Sequence, residues 1–175
     1  MELTVIDDFV SKLKQNKKVD RTAWKEFDLI GLFPDIGRGT RLVKANRQPG
    51  TMPLVTAGQF NNGISCYILP PKENEVFENC VTIDMFGNCF YQQGQFVCDD
   101  NVYPIKNIQN KYVGLFIATV LHNAVEAEFD FSKQVRLKQL QQIKIKLPVD
   151  KDGNPDFKYM EKYMQDLEVW VMKKF

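Results

Sequence analysis

Two hydrophobic periods alternate along the chain. Val5, Ile6, Phe9, Val10 and Leu13 recur at helical spacing, and Thr4 ahead of Asp7 and Asp8 supplies a capped, acidic first turn. An amphipathic helix is expected over about 5–16, closing in the basic run Lys14 to Lys18, with a polar linker to Thr22. Trp24 to Ile30 alternates apolar and polar and predicts a short strand that turns at Gly31-Leu-Phe-Pro. Leu42, Val43 and Ala45 fit a short helix whose start at Gly39-Thr40 suits a cap. Residues 53–58 read as strand and turn, Asn61-Asn62-Gly63 as a tight turn, and Ile64 to Leu69 as the strand that follows. Pro70 to Glu75 is an exposed acidic loop.

Short strands are predicted at Val81–Met85, Asn88–Gln92, Phe96–Cys98 and Val102–Ile105. Lys111 to Val125 is almost continuously apolar and too long for a typical strand, so it predicts a buried helix. Ile143 to Leu147 is a strand with one wet face, and Asp150 to Pro155 is a turn. Asp156 caps a terminal helix running to Phe175, with Phe157, Met160, Tyr163, Met164, Leu167 and Val171 on one stripe. The expected fold class is α+β: a mixed sheet of several short strands with a buried helix, plus N- and C-terminal amphipathic helices. The expected division is an N-terminal helix and linker over 1–21, a central domain over 22–155 and a C-terminal helix over 156–175.

A length of 175 residues suits one domain with appendages. Hydrophobic residues at 44% and charged residues at 26% exclude wholesale disorder. No apolar run is long enough to span a membrane, and the N-terminus lacks a secretory pattern, so a cytoplasmic protein is expected. The net charge of +1 excludes a polycationic nucleic-acid binder but conceals an uneven spread. Residues 1–50 carry 10 basic and 7 acidic side chains, 51–130 carry 3 and 9, and 131–175 carry 10 and 6. One face could therefore meet phosphates, although chance gives such unevenness too. Cys66, Cys80, Cys89 and Cys98 lack the close pairing of a zinc knuckle and read as reduced and buried; no metal site is expected.

Catalytic signatures are missing. Gly37-Arg-Gly-Thr-Arg lacks the lysine and spacing of a phosphate loop, and no nucleophile elbow occurs. A triad would have to use the lone His122 inside the apolar helix, where packing is the commoner role. Leu69-Pro-Pro-Lys and Asn88-Cys-Phe-Tyr each match only half of a methyltransferase catalytic loop, and Asp84, Asp99 and Asp100 have no lysine beside them for nuclease chemistry. No cofactor is expected.

The chemistry that remains is recognition. Arg38, Arg41, Lys44 and Arg47 recur every three residues and would share a face on a helix or tight turn. Guanidinium groups bind phosphate bidentately or read guanine in the major groove, though spaced charges are also the ordinary dress of a solvated face. Gln59, Asn61, Asn62, Asn88, Gln92 and Gln93 are amides at turns, with Tyr91 beside the last pair. Amides pair with the adenine N6/N7 edge, while Asn-Gly also serves turns by itself.

The order Trp24-Lys-Glu-Phe, Gly31-Leu-Phe, Arg38-Gly-Thr-Arg-Leu, Pro53-Leu-Val-Thr-Ala-Gly, Asn62-Gly-Ile, Val81-Thr-Ile-Asp-Met-Phe-Gly-Asn-Cys-Phe-Tyr and Asp99-Asp-Asn-Val resembles the target-recognition domain of restriction-modification specificity (S) subunits. The run from Ile145 to Tyr163 resembles the variant of type IIB systems rather than the type I ending. The resemblance covers about residues 22–170. It implies a non-catalytic module that reads double-stranded DNA and directs a separate methyltransferase/endonuclease subunit. It also implies that Gly39, Gly58, Gly63 and Gly87 serve backbone geometry. An alternative is a regulatory module that docks on the methyltransferase subunit without reading DNA. The family's full subunits carry two such domains, so a two-fold homodimer through Phe157, Met160, Tyr163, Met164, Leu167, Trp170 and Val171 is a further expectation, with intramolecular packing of that stripe as its competitor.

Overall fold

The computed structural model describes residues 21–126, 128–129 and 132–173. The helix expected over 5–16, and the linker up to residue 20, lie outside the described residues. The elements in order are β1 (Lys25–Asp28), α1 (Leu29–Leu32), β2 (Gln48–Val55), β3 (Ile64–Leu69), β4 (Phe77–Asp84), β5 (Cys89–Cys98), β6 (Val102–Ile105), α2 (Lys111–Val125), α3 (Leu137–Leu140), β7 (Lys144–Leu147) and α4 (Phe157–Met172). The mixed α+β architecture matches expectation. Five strands form one sheet in the order β3-β2-β5-β4-β6, and β1 pairs with β7 in a second. All pairs are antiparallel except β2 with β5, which run parallel through Leu54–Val97 and Val55–Cys98.

Strand β4 organises the core because it is buried on both faces. Val81 and Ile83 point into the cluster that holds Ile117, Leu121, Ile145, Leu147 and Met160. Cys80 points the other way, into a second cluster with Phe77, Phe96, Cys98 and Val102. Strand period puts Thr82 and Asp84 on this same second side, where both are buried polar residues. A polar group in that position must find partners. Thr82 finds them on β5, and Asp84 in the loops of the candidate site.

Helix α2 lies over β4 and β5, and its bounds match the sequence reading. Asn110 caps it by accepting from the Tyr112 and Val113 N–H groups, a device that contributes about 1 kcal/mol. Gly114 lets the helix approach β5, since a Cβ there would lie 2.3 Å from the Tyr91 ring. Helix α4 packs on α2 and inserts fully buried Met160 into the main core. Phe157, Tyr163 and Met164 pack partly buried against the same cluster. The stripe offered above for dimerisation is therefore largely a core-facing stripe within this chain. Asp156 caps α4 through the Tyr159 N–H, as expected.

Several elements differ from the sequence reading; β2 begins at Gln48 and β4 at Phe77, ahead of the expected starts at 53 and 81. The strand from Trp24 stops at Asp28, because fully buried Leu29 turns inward and its N–H donates to Ile143 O at 2.9 Å. The strands expected at 88–92 and 96–98 are one strand, β5, carried through an irregularity where Gly94 takes φ +76° and its N–H donates to Asn79 Oδ1. The helix expected around 42–45 is only a 3₁₀ turn at Lys44–Asn46. Upstream of it the backbone is claimed by strands instead: Gly37 N–H donates to Pro104 O, Gly39 to Val102 O and Thr40 to Cys98 O.

Candidate nucleic-acid interface

Two segments carry the candidate contact residues, and both are tied to the turn Asp99–Asn101. The first is the basic segment 37–47. Asp99 accepts from the Leu42 N–H at 3.3 Å and pairs with Arg47 at 3.6 Å. Arg47 also donates from Nε to Leu42 O, and its side chain is mostly covered. Arg38 pairs with Asp100 at 3.5 Å and donates to the Asp100 carbonyl, yet its side chain stays exposed. Gly39 sits so close to β5 that a Cβ would fall 2.2 Å from the Cys98 and Asp99 carbonyl oxygens. Only glycine permits that approach. Arg41 and Lys44 are exposed, with no ion pair among the described residues. The four cations therefore do not share a helix face. Arg47 is structural, Arg38 is half engaged, and Arg41 and Lys44 keep their charge for solvent.

The second segment is the amide loop between β2 and β3. It leaves β2 where Val55 O accepts from the Asp99 N–H at 3.0 Å, so the same turn anchors both segments. Asp84 then holds the loop from the core side: one carboxylate oxygen accepts from the Gly58 N–H at 2.9 Å and from Asn88 Nδ2 at 2.8 Å. The other accepts from the Phe86 and Asn88 N–H groups. Gln92 donates to Asn62 O at 2.8 Å and to Thr82 Oγ1 at 3.4 Å. Asn61, Asn62 and Gly63 take φ of 49°, 51° and 79°, three left-handed residues in succession. Such a run costs backbone energy and persists only where surrounding bonds over-determine it. Gln59, Asn61 and Asn62 are exposed at its tip.

The amides therefore divide. Asn88 and Gln92 are buried and spend their side chains on Asp84, Thr82 and the loop backbone. They position the loop, and their burial keeps them from a base. Tyr91 is half-buried against α2 at Gly114, and burial pushes its phenol above its ordinary range. It faces the helix side, away from the amide loop. Gln93 is exposed. Among the family glycines, Gly63 and Gly87 have positive φ, while a Cβ at Gly58 would meet nothing within 4 Å. Sequence reasoning missed Phe60, which is 89% exposed. It also missed Asp84 as the anchor, although an acid alternating with Val81 and Ile83 in an apolar run was the available signal.

Groups that could do chemistry are engaged elsewhere. His122 Nδ1 lies 3.2 Å from Gly87 O. Burial pushes the Cys80 thiol up to about 11, and raises Cys89 and Cys98 as well, so these thiols stay protonated and unreactive at neutral pH. All four cysteines are free. Among the described residues no group of three or more His, Cys, Asp or Glu is placed to hold a metal ion, and no helix is long and apolar enough to cross a membrane. A cleft of about 630 Å³ beside the amide loop is lined by Gln59, Asn88, His122 and Glu126 and by the rings of Phe86, Phe90 and Phe129.

Known proteins resemble this chain along most of its length. The type II restriction enzyme BgcI specificity subunit S.BcgI of Heyndrickxia coagulans is 30% identical over 169 residues, covering 93% of this chain and 48% of that protein. The chain thus spans about half the length of that relative. The S subunit of a type I restriction-modification system from M. genitalium shares the fold over 98% of this chain and 46% of its own, with a TM-score of 0.59 at 15% identity. The HsdS subunit from Thermoanaerobacter tengcongensis does so over 91% of this chain and 40% of its own, with a TM-score of 0.54 at 15% identity. The model of the type I restriction modification DNA specificity domain matches residues 22–169, and the chain belongs to that family.

Proposed function

We propose that the chain is the sequence-reading module of a restriction-modification specificity protein, binding double-stranded DNA and directing a separate methyltransferase/endonuclease subunit. The observation that carries the reading is the convergence of the basic segment and the amide loop on the turn Asp99–Asn101. Phosphate contacts fix register, and base-edge contacts specify sequence. In this reading exposed Arg41 and Lys44, with Arg38 beside them, meet the backbone. Gln59, Asn61, Asn62 and Gln93 meet base edges. In this reading the reaction belongs to the partner subunit; in support, among the described residues Cys80, Cys89 and Cys98 are buried, His122 faces the Gly87 carbonyl and Asp84 is taken up by loop donors. Self-pairing through α4 would draw on partly exposed Leu167, Trp170 and Val171 with exposed Tyr159, Val169 and Met172, because Phe157, Met160, Tyr163 and Met164 pack on the core.

The test is selection of duplexes from a random pool by this chain reconstituted with its methyltransferase subunit. Enrichment of a defined sequence, with affinity that falls steeply as salt rises, supports the reading. An assembled complex that enriches no sequence contradicts it.

A further inference from the structure

Phe60 sets a problem that the fold does not solve. It is the most exposed of the large hydrophobic side chains, at 89%, and its sequence neighbours are Gln59, Asn61 and Asn62 rather than other apolar residues. A ring that served the core or a broad protein interface would sit in an apolar patch. Along the chain this one stands among amides. Nor is it on a yielding loop. The backbone on either side is pinned by the Gly58 N–H to Asp84, by the Thr56 N–H to Gly63 O at 2.9 Å, and by Gln92 to Asn62 O. The two residues that follow it are held at left-handed φ. A rigid tip that presents one ring between hydrogen-bonding amides matches the chemistry of an A·T pair in the major groove. There adenine offers N7 and N6, and thymine offers O4 and the C5-methyl.

We infer that Phe60 is a specificity-determining residue that contacts the C5-methyl group of a thymine while the flanking amides contact the polar edges. The inference rests on the DNA-reading function proposed above, and its ligand is a thymine-bearing duplex. Because the ring is exposed, removing it leaves the core intact. The experiment uses the full chain assembled with its methyltransferase subunit and the duplex that the wild-type complex selects. Each thymine is replaced in turn by deoxyuridine, which deletes only the methyl group. At one position the wild-type complex loses about fourfold in affinity, the factor expected from uncovering one methyl group. Phe60→Ala loses about as much on the thymine duplex and shows no further loss on the deoxyuridine duplex, while Phe60→Leu retains part of the discrimination.

Three results overturn the inference. Undiminished methyl discrimination in Phe60→Ala at every thymine rejects it and leaves the DNA-reading function standing. A Phe60→Ala chain that no longer assembles with the methyltransferase subunit makes the ring a protein contact. A wild-type complex that selects no duplex removes the inference together with the function on which it rests.

Discussion

The basic segment and the amide loop are fastened to the same turn, but by opposite means. In the segment 37–47, acids at Asp99 and Asp100 take up cations, so the sequence overstates the charge available for phosphate. In the loop 56–63, buried Asp84 and Gln92 hold backbone groups, so the tip amides stay exposed. A candidate contact residue in this fold has two ways of being lost to function. It can be neutralised at the surface, like Arg47, or buried as a support, like Asn88. What separates the supports from the exposed candidates is strand parity and pairing, not residue type.

Breaking the loop's support gives the largest effect. Asp84→Ala removes the acceptor of four hydrogen bonds inside the fold, and the buried Asn88 N–H and Nδ2 donors lose their partner. Urea unfolding should show a loss of about 3 kcal/mol or more. A loss under about 1 kcal/mol would mean that the carboxylate does not anchor the loop. On the basic side the expected effects are smaller and of two kinds. Arg47→Ala should lower stability by about 1 kcal/mol, through the lost bonds to Asp99 and Leu42 O. Arg41→Ala should leave the unfolding curve in place and reduce the salt dependence of DNA binding by about one phosphate's worth of slope. Interchange of these two outcomes would reverse the assignment of structural and free cations.

The smallest effect concerns the seam between α4 and α2. Lys111 and the Tyr112 hydroxyl hold the Glu168 carboxylate at 2.6 and 2.7 Å. The Lys111 hydrogen bond, then that of Tyr112, keeps the Glu168 carboxyl below the ordinary carboxylate range. A lowered carboxyl stabilises the fold above its unfolded pKa, and that contribution fades as pH falls through the folded value. Glu168→Gln should therefore lower stability slightly at neutral pH and flatten the slight decline on the acid side of the carboxylate range, where the two proteins converge. The pair is open to solvent, so the decline should shrink further in salt.

Much of the fold was legible where local pattern and tertiary demand agree. The bounds of α2, β3 and β6 follow from apolar runs and turn residues that nothing elsewhere in the chain contests. The sequence misled where distant groups claim the backbone. Arginines at three-residue steps suggested a helix face, but Gly37, Gly39 and Thr40 donate to residues some sixty positions away. Gly94 looked like a strand end, and Asn79 turned it into an irregularity within one strand. The candidate site was legible as composition and not as roles. Asn88, Gln92 and Tyr91 possess base-contacting chemistry, yet β5 turns Gln92 toward Thr82 and Tyr91 toward Gly114. Period-two alternation gives that division once the partner of each face is known, and the partners are long-range.

The claim that the amide loop reads bases is tested most directly by the ratio of affinities for the selected duplex and a scrambled one. The comparison is between the wild-type complex and a Gln59→Ala, Asn62→Gly variant. Glycine accepts the left-handed conformation at 62 without strain, so the loop keeps its shape. The account predicts that the ratio falls by tenfold or more, on the order of one lost amide–base pairing, while affinity for the scrambled duplex holds. An unchanged ratio would contradict it.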